Sequence, residues 1–259
     1  MRNPRYLLAG RIHFITFRTQ EGLPFVPLEF MNTLLRSALA RAQKLYPTTI
    51  ICFVIQANHV HLLIRVTNPE DVSRFIGYFK AESAHYLNRL LDRRQRSVWV
   101  ERFDSPAVLD IDKALELFAY CTLNPVKDRL VSHMKDYPGV SSYSALLNNQ
   151  RTIPAKSIPR DKVPALPDPH NPQKYNRELS NYFESDEFED LFIVLSPDEL
   201  RLAFSSTVDG SSDDFRIKLL ETIKRYENLF TANRNGGVLG VRKLLLKSGT
   251  RLPSPRVTN

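Results

Sequence analysis

Two apolar segments separated by only three residues constrain the fold of this chain most. Residues 49–55 and 59–66 are rich in β-branched and other apolar side chains. The polar stretch between them, Gln56-Ala57-Asn58, suits a tight turn or a bulge. The pattern predicts two strands that follow each other directly in the chain.

The second of these strands begins with two histidines. Side chains two residues apart on a strand point to the same face, so His59 and His61 present their imidazoles side by side. Two neutral imidazoles on a rigid strand form half of a site for a divalent metal. The alternative is a buried histidine pair bonded to backbone carbonyls.

The remaining segments indicate an α+β fold. We expect a strand at 11–19, a helix at 28–45, a long helix that starts at the cap Asn68 and runs to about Leu91, and a strand around 103–109. The order is strand, helix, strand, strand, helix, strand, helix. It fits a ferredoxin-like or RRM-like antiparallel sheet, a palm, with helices on one face.

The last helix of this order carries two polar residues of interest. It begins at Asp110 or Asp112, and Pro125 predicts that it stops or kinks near Asn124. Tyr120 and Asn124 are four residues apart and therefore share a helical face. Alternatively, Tyr120 is an ordinary half-buried tyrosine and Asn124 an ordinary residue before a proline.

Together these motifs resemble the single-tyrosine HUH transposases, most closely the REP-associated tyrosine transposases. In that family a histidine, a bulky hydrophobe and a histidine precede a tyrosine segment that ends in Asn-Pro-Val and a basic residue. The matching stretches occur in the family's order and span roughly residues 3–147. They are residues 11–19, 58–61, 98–103, 120–127 and 137–143.

The resemblance implies cleavage of single-stranded DNA next to a hairpin, followed by strand transfer through a 5′-phosphotyrosine. Tyr120 would be the nucleophile, and His59, His61 and Asn124 would hold Mg²⁺ or Mn²⁺. Tyr78 and Tyr86 lie on the second long helix and not beside Tyr120, so a tandem-tyrosine relaxase is a weaker match. Three alternatives stay open: a rolling-circle or relaxase-type HUH nuclease, a domesticated hairpin DNA- or RNA-binding protein without cleavage, and a zinc hydrolase.

The charge of the chain agrees with a nucleic-acid partner. Its formal net charge is +8 and its pI is about 9.5, which favours an anionic ligand. Basic residues at the end of the second long helix and after the tyrosine could bind DNA backbone, or could simply be solvated. They are Arg89, Arg93, Arg94, Arg96, Lys127 and Arg129. Trp99 could stack on a base or anchor a loop.

Composition also predicts the compartment. Cys52 and Cys121 lie in apolar segments and are expected to be free thiols. We find neither a signal-peptide pattern nor a long apolar run, so a cytoplasmic, nucleoid-associated bacterial protein without membrane contact is expected. The protein could act as a monomer or as a homodimer.

Four segments are predicted along the chain: a catalytic domain at 1–150, a Pro-rich linker or arm at 151–173, a small helical appendage at 174–248 and a disordered tail at 249–259. The arm and appendage are basic. They could lie near the DNA path and tune target recognition, or they could cover an apolar surface of the palm.

Overall fold

The computed structural model describes residues 6–20, 25–93, 97–208 and 210–246. Its centre is a four-stranded antiparallel sheet with strand order β2-β3-β1-β4. The strands are β1 (Ile12–Arg18), β2 (Thr49–Ile55), β3 (His59–Arg65) and β4 (Ala107–Val108). The ferredoxin-like order is confirmed, and β3 with both histidines is an interior strand.

Two helices cover one face of the sheet, as predicted. They are α1 (Glu29–Leu45) and α2 (Pro69–Leu90). The side chain of Asn68 caps α2 by accepting a hydrogen bond from the Glu70 amide at 3.0 Å. Proline is well tolerated at the first helical position, where its missing N–H costs no helical bond.

The tyrosine helix α3 (Ile111–Lys127) packs on the opposite face, so the prediction of helices on one face was wrong. The strands are apolar on both sides: Leu62 belongs to the core under α1 and α2, whereas Leu63 belongs to the core under α3. A sheet that is apolar on both faces must be covered on both. Asp110 is the cap of α3 and accepts from the Lys113 amide at 2.7 Å.

The sequence suggested that α3 stops or kinks near Asn124, but Pro125 does not end the helix there. The helix continues to Lys127 with the proline inside its last turn. The amide of Asp128 donates to the Asn124 carbonyl at 2.8 Å, and the amide of Leu130 donates to the Pro125 carbonyl at 2.9 Å. The proline has no N–H to donate to the Cys121 carbonyl, and the helix nevertheless continues through it.

The region beyond residue 150 is not only a linker and helices, because it contains a second, two-stranded antiparallel sheet. This sheet packs on α1. The sequence analysis treated the region beyond residue 150 as a separate unit, and it therefore did not predict strands that form through contacts with α1. Its strands are β5 (Thr152–Lys156) and β6 (Asp190–Val194). The helices that follow the tyrosine helix are α4 (Tyr143–Leu147), α5 (Asn176–Phe183), α6 (Glu199–Ala203), α7 (Ser212–Ala232) and α8 (Val241–Leu246).

The Pro-rich arm contributes to the main core rather than crossing solvent. Ile158, Val163 and Leu166 are buried in the same cluster as α1 and α2, and the Leu166 amide donates to the Leu90 carbonyl at 2.9 Å. Beyond β5, the arm inserts single apolar side chains into the core. This packing supports the covering role of the arm.

The basic side chains of the arm pair with acidic side chains of the same chain. The pairs are Arg151–Asp198, Lys156–Asp190, Arg160–Glu82 and Lys162–Glu187. Cations engaged in this way are less available to phosphates, which also favours covering over DNA tuning. The segment boundaries stay a prediction, and the predicted disordered tail at 249–259 lies outside the described residues.

A buried carboxylate anchors the arm to both helices. Glu82 on α2 has a side chain that is 1% exposed and pairs with Arg41 of α1 at 2.8 Å and with Arg160 of the arm. Tyr86 and Arg41 both donate to the Ile158 carbonyl, at 2.6 and 2.8 Å. The network joins three segments that are far apart in the chain.

Replacing Glu82 with alanine should lower the free energy of unfolding by roughly 2–4 kcal/mol, because it leaves Arg41 partly buried without its counter-charge. Urea denaturation measures the change. The control is Glu116→Ala, which removes an exposed pair with Lys113 and should cost no more than about 1 kcal/mol. Equal effects in the two variants would contradict an anchoring role for Glu82.

Candidate active site

The two histidines lie at the start of β3 and point to the face covered by α3. Their ring centroids are 4.8 Å apart and their planes cross at 77°. His59 is half-buried, whereas His61 is 4% exposed. The predicted side-by-side arrangement is therefore present, and the rings are not bonded to backbone carbonyls through their nitrogens in the described contacts.

Each imidazole is oriented through its Nδ1 atom. His59 Nδ1 is 2.8 Å from the Asn58 Oδ1 atom, and His61 Nδ1 is 2.9 Å from the Thr16 hydroxyl on β1. An amide oxygen accepts hydrogen bonds, so this contact forms when Nδ1 of His59 carries a proton. In the neutral ring, Nε2 of His59 then carries the free lone pair.

Asn124 on α3 faces that lone pair. Its Oδ1 atom is 3.1 Å from His59 Nε2 and also accepts a hydrogen bond from the Gln56 side chain. Two acceptors that face each other repel unless a proton or a cation lies between them. The contact therefore suits either a proton on His59 Nε2 or a bound cation.

A second acceptor was not predicted from the sequence. The Asp128 Oδ2 atom lies 3.7 Å from His59 Nε2, just beyond the end of α3. Tyr120, Asn124 and Asp128 follow one another at intervals of four residues, so their shared helical face was a signal that could have identified the carboxylate. Gln56 and Thr16 were also missed, since their contacts depend on how the strands and α3 pack.

The donors available for a metal are imidazole nitrogens and amide oxygen rather than a carboxylate cluster. His61 Nε2 is buried and has no hydrogen-bond partner among the described residues. Within that same part of the chain, no group of three or more His, Cys, Asp or Glu side chains is placed to hold a metal ion. His59, His61 and Asn124 together nevertheless form a set that fits a divalent cation, because two imidazoles and an amide oxygen all offer lone pairs.

Tyr120 lies beside the histidines of its own chain. Its ring centroid is 5.3 Å from that of His61 and 5.8 Å from that of Phe14, both in edge-to-face geometry. Lys127 Nζ lies 4.8 Å from the centroid of the tyrosine ring. The structure thus brings all four predicted site residues to one place within a single chain.

Burial keeps His61 neutral. Desolvation, helped by the nearby charges of His59 and Lys127, lowers the pKa of its imidazole to about 3. A neutral ring is the form that can bind a metal.

The candidate DNA-binding cations have different surroundings. Arg89 donates to the carbonyls of Val163 and Asp161 in the arm, and Arg129 donates to the Asn235 carbonyl. Arg93 donates to Asn88, and Lys127 lies at the tyrosine. Arg94 and Arg96 lie outside the described residues. Of the described candidates, only Lys127 contacts one of the four predicted site residues, Tyr120.

Trp99 anchors a loop. Its side chain is 3% exposed, stacks on Phe25 and donates from Nε1 to the Ser83 hydroxyl at 2.9 Å. Its position leaves little surface for a base. Cys52 and Cys121 are both free and buried, as expected.

Comparison with known proteins shows which domain the N-terminal part of the chain resembles. Residues 11–112 match the family model described as "Transposase IS200 like". These residues include both histidines and end before Tyr120. Residues 11–112 therefore resemble the domain of an IS200-like transposase.

One curated relative supports the resemblance to REP-associated tyrosine transposases, and one solved structure shares the fold. A Haemophilus influenzae protein (strain ATCC 51907 / DSM 11121 / KW20 / Rd), named "Putative REP-associated tyrosine transposase", is 25% identical over 166 residues, which cover 61% of this chain and 90% of the relative. A solved structure titled "Structure of the REP associates tyrosine transposase bound to a REP hairpin" aligns with a TM-score of 0.50 and 20% identity. The alignment covers 57% of this chain and 86% of that one, and it shows a shared fold.

No helix in the described part of the chain combines the length and apolarity needed to cross a membrane.

The imidazole of His61 should not titrate between about pH 8 and pH 5 in the metal-free protein, because its pKa is far below the ordinary value for histidine. Two-dimensional NMR of the ring nitrogens measures this and also shows which nitrogen carries the proton. The surface residue His170 serves as an internal reference. A midpoint near pH 6.5 for His61 would contradict its burial.

Proposed function

We propose that this protein cleaves and rejoins single-stranded DNA next to a hairpin, through a covalent bond to Tyr120. The observation that carries the proposal is the arrangement of four residues in one chain: the Tyr120 ring is 5.3 Å from His61, and Asn124 Oδ1 is 3.1 Å from His59. The names of the relatives support hairpin DNA as the substrate class.

In the proposed reaction, the Tyr120 hydroxyl oxygen attacks a scissile phosphate. The new bond joins the tyrosine oxygen to phosphorus, and the bond from phosphorus to the 3′ oxygen breaks. The tyrosine loses its proton, and the departing strand gains one as a free 3′-hydroxyl. Because the tyrosyl link keeps the phosphodiester energy, attack by another 3′-hydroxyl rejoins DNA without ATP.

His59, His61 and Asn124 are the residues that would hold a divalent metal, Mg²⁺ or Mn²⁺. When bound, such an ion polarises the phosphate and neutralises the charge that develops on it. Imidazole ligands favour Mn²⁺, whereas oxygen ligands and phosphate suit either ion. Asp128 adds negative charge next to this site.

Lys127 is placed to contact the DNA beside the nucleophile. Its ammonium lies over the Tyr120 ring and is exposed to solvent on one side. A phosphate bound there would gain a charge-assisted hydrogen bond. The net charge of +8 supports binding of a polyanion more generally.

The alternatives explain less of this geometry. A protein that only binds hairpin DNA or RNA has no need for the histidine pair, the tyrosine and the amide at one place. A zinc hydrolase would require a third histidine or cysteine ligand, and among the described residues no group of three or more His, Cys, Asp or Glu side chains is placed to hold a metal ion. A rolling-circle or relaxase-type nuclease shares the chemistry, and the relatives favour the transposase.

Tyr120→Phe should abolish a denaturation-resistant protein–DNA adduct, because phenylalanine has no nucleophilic oxygen. The assay incubates a labelled hairpin oligonucleotide with Mn²⁺ and resolves the product on a denaturing gel. Tyr78→Phe, on the other face of the sheet, is the control and should leave the adduct unchanged. An adduct in the Tyr120→Phe variant at the wild-type level would assign the nucleophile elsewhere.

His59→Ala should weaken Mn²⁺ binding by about 10- to 100-fold, since it removes one of the proposed ligands. Asp128→Asn removes only a neighbouring charge and should weaken binding roughly fivefold. Isothermal titration with Mn²⁺ measures both, and DNA affinity is measured in parallel without metal. A parallel loss of DNA affinity and folding in His59→Ala would mean that the pair is a folding element.

A further inference from the structure

The chain that follows the tyrosine helix is held by a segment near the C-terminus. We call α7 together with residues 233–240 the brace. Five hydrogen bonds join the brace to residues 129–134, directly after α3. They are Met134 N–H to Glu227 Oε1 (2.7 Å), Leu239 N–H to the Arg129 carbonyl (2.8 Å), Gly240 N–H to the Leu130 carbonyl (3.0 Å), Arg129 Nη1 to the Asn235 carbonyl (2.6 Å) and Arg234 Nη2 to the Ser132 carbonyl (3.0 Å).

Apolar packing joins the same elements along their length. Phe215, Leu219 and Ile223 of α7 are buried in the cluster that contains Phe118 of α3 and the second face of the sheet. The tyrosine helix therefore lies between β2 and β3 on one side and α7 on the other. Its position depends on both layers.

The end of α3 adopts a conformation that needs support. Arg129 has a φ of +60°, in the left-handed region where glycine is the usual residue after a helix. Its carbonyl accepts from Leu239 and its guanidinium donates to Asn235, so the brace holds this residue from two directions. The brace therefore adds two hydrogen bonds to those that the end of α3 makes within itself.

This support matters because two site residues lie in the last two turns of α3. One residue of slide along a helix moves a side chain by about 1.5 Å, and a misplacement of about 1 Å can reduce a reaction rate by roughly 100-fold. Tyr120 and Asn124 must therefore keep their position along the helix axis relative to His59 and His61. This position is set by the contacts of α3 with the sheet and by its contacts with the brace.

We propose that the brace is a positioning element, which keeps Tyr120 and Asn124 aligned with the histidines of the same chain. The proposal rests on the function proposed for Tyr120 and gives residues beyond the matched transposase domain a part in the reaction. Glu227 is its central positioning residue, because its carboxylate bonds the first amide of the turn at Met134–Asp136. Loosening the brace should slow the reaction without weakening the binding of DNA.

The test compares full-length variants in two measurements. Hydrogen exchange of the amides of residues 117–127 reports the mobility of the tyrosine helix, and the rate of adduct formation at saturating hairpin oligonucleotide reports alignment. Glu227→Ala/Arg234→Ala should raise the exchange and lower the rate, each by about 10-fold, while the Kd for DNA changes less than about twofold. Glu227→Gln keeps an acceptor oxygen and should behave like the wild type, as should Glu221→Ala at an exposed position on the same helix.

Unchanged exchange and unchanged rate in the double variant would overturn the proposal. An equal loss of DNA affinity and rate would also overturn it, since the brace would then contact DNA directly. If the double variant does not fold, the single variants Glu227→Ala and Glu227→Gln decide, because equal exchange in the two would remove any role for the acceptor. If the wild type forms no adduct, the proposed function fails, and the exchange measurement alone still decides whether the brace holds the helix.

Discussion

The packing of the tyrosine helix against the second face of the sheet is the contact on which the site depends. Phe118 and Leu123 are completely buried there, and each contributes about 1.5–3 kcal/mol relative to exposure. Between them, the Cys121 thiol lies 3.5 Å from the His61 carbonyl and 3.7 Å from the Cys52 carbonyl, on β3 and β2. Burial raises the pKa of this thiol well above its ordinary value, so it stays protonated. The residue next to the tyrosine thus links the tyrosine helix to the strand that carries the histidines.

The electrostatics of the site follow from this packing. The packing of α3 on the sheet brings Asn124 Oδ1 and Asp128 Oδ2 close to His59 Nε2. His61 is neutral with an unbonded nitrogen, because the same helix shields it from water. Hydrogen-bond acceptors that lie close together and away from water repel one another. A bound cation would turn this repulsion into attraction. The metal affinity that we propose is therefore a property of the sheet–helix interface rather than of the histidine pair alone.

Much of the palm could be predicted from the sequence because local rules govern it. The period of two along β3 placed the histidines on one face, and the interval of four placed Tyr120 and Asn124 together. The strand–helix order pointed to a ferredoxin-like sheet. The prediction failed where distant contacts override local signals: α3 continues through Pro125, and helices cover both faces of the sheet. Beyond residue 150, β5 and β6 form because they pair with each other and pack on α1, which a scan along the chain does not reveal.

The sequence by itself determined which side chains are capable of the chemistry. It contains two imidazoles on one strand face, a phenol and an amide on one helix face, and enough positive charge for a polyanion. Only the tertiary structure decided that these two faces meet, that Asp128, Gln56 and Thr16 join them, and that the Pro-rich arm pairs its cations internally. The physical reason is the distance along the chain over which each effect acts. Periodicity is set by the backbone geometry of neighbouring residues, whereas the meeting of β3 and α3 is set by burial of apolar surface between segments about 60 residues apart in sequence.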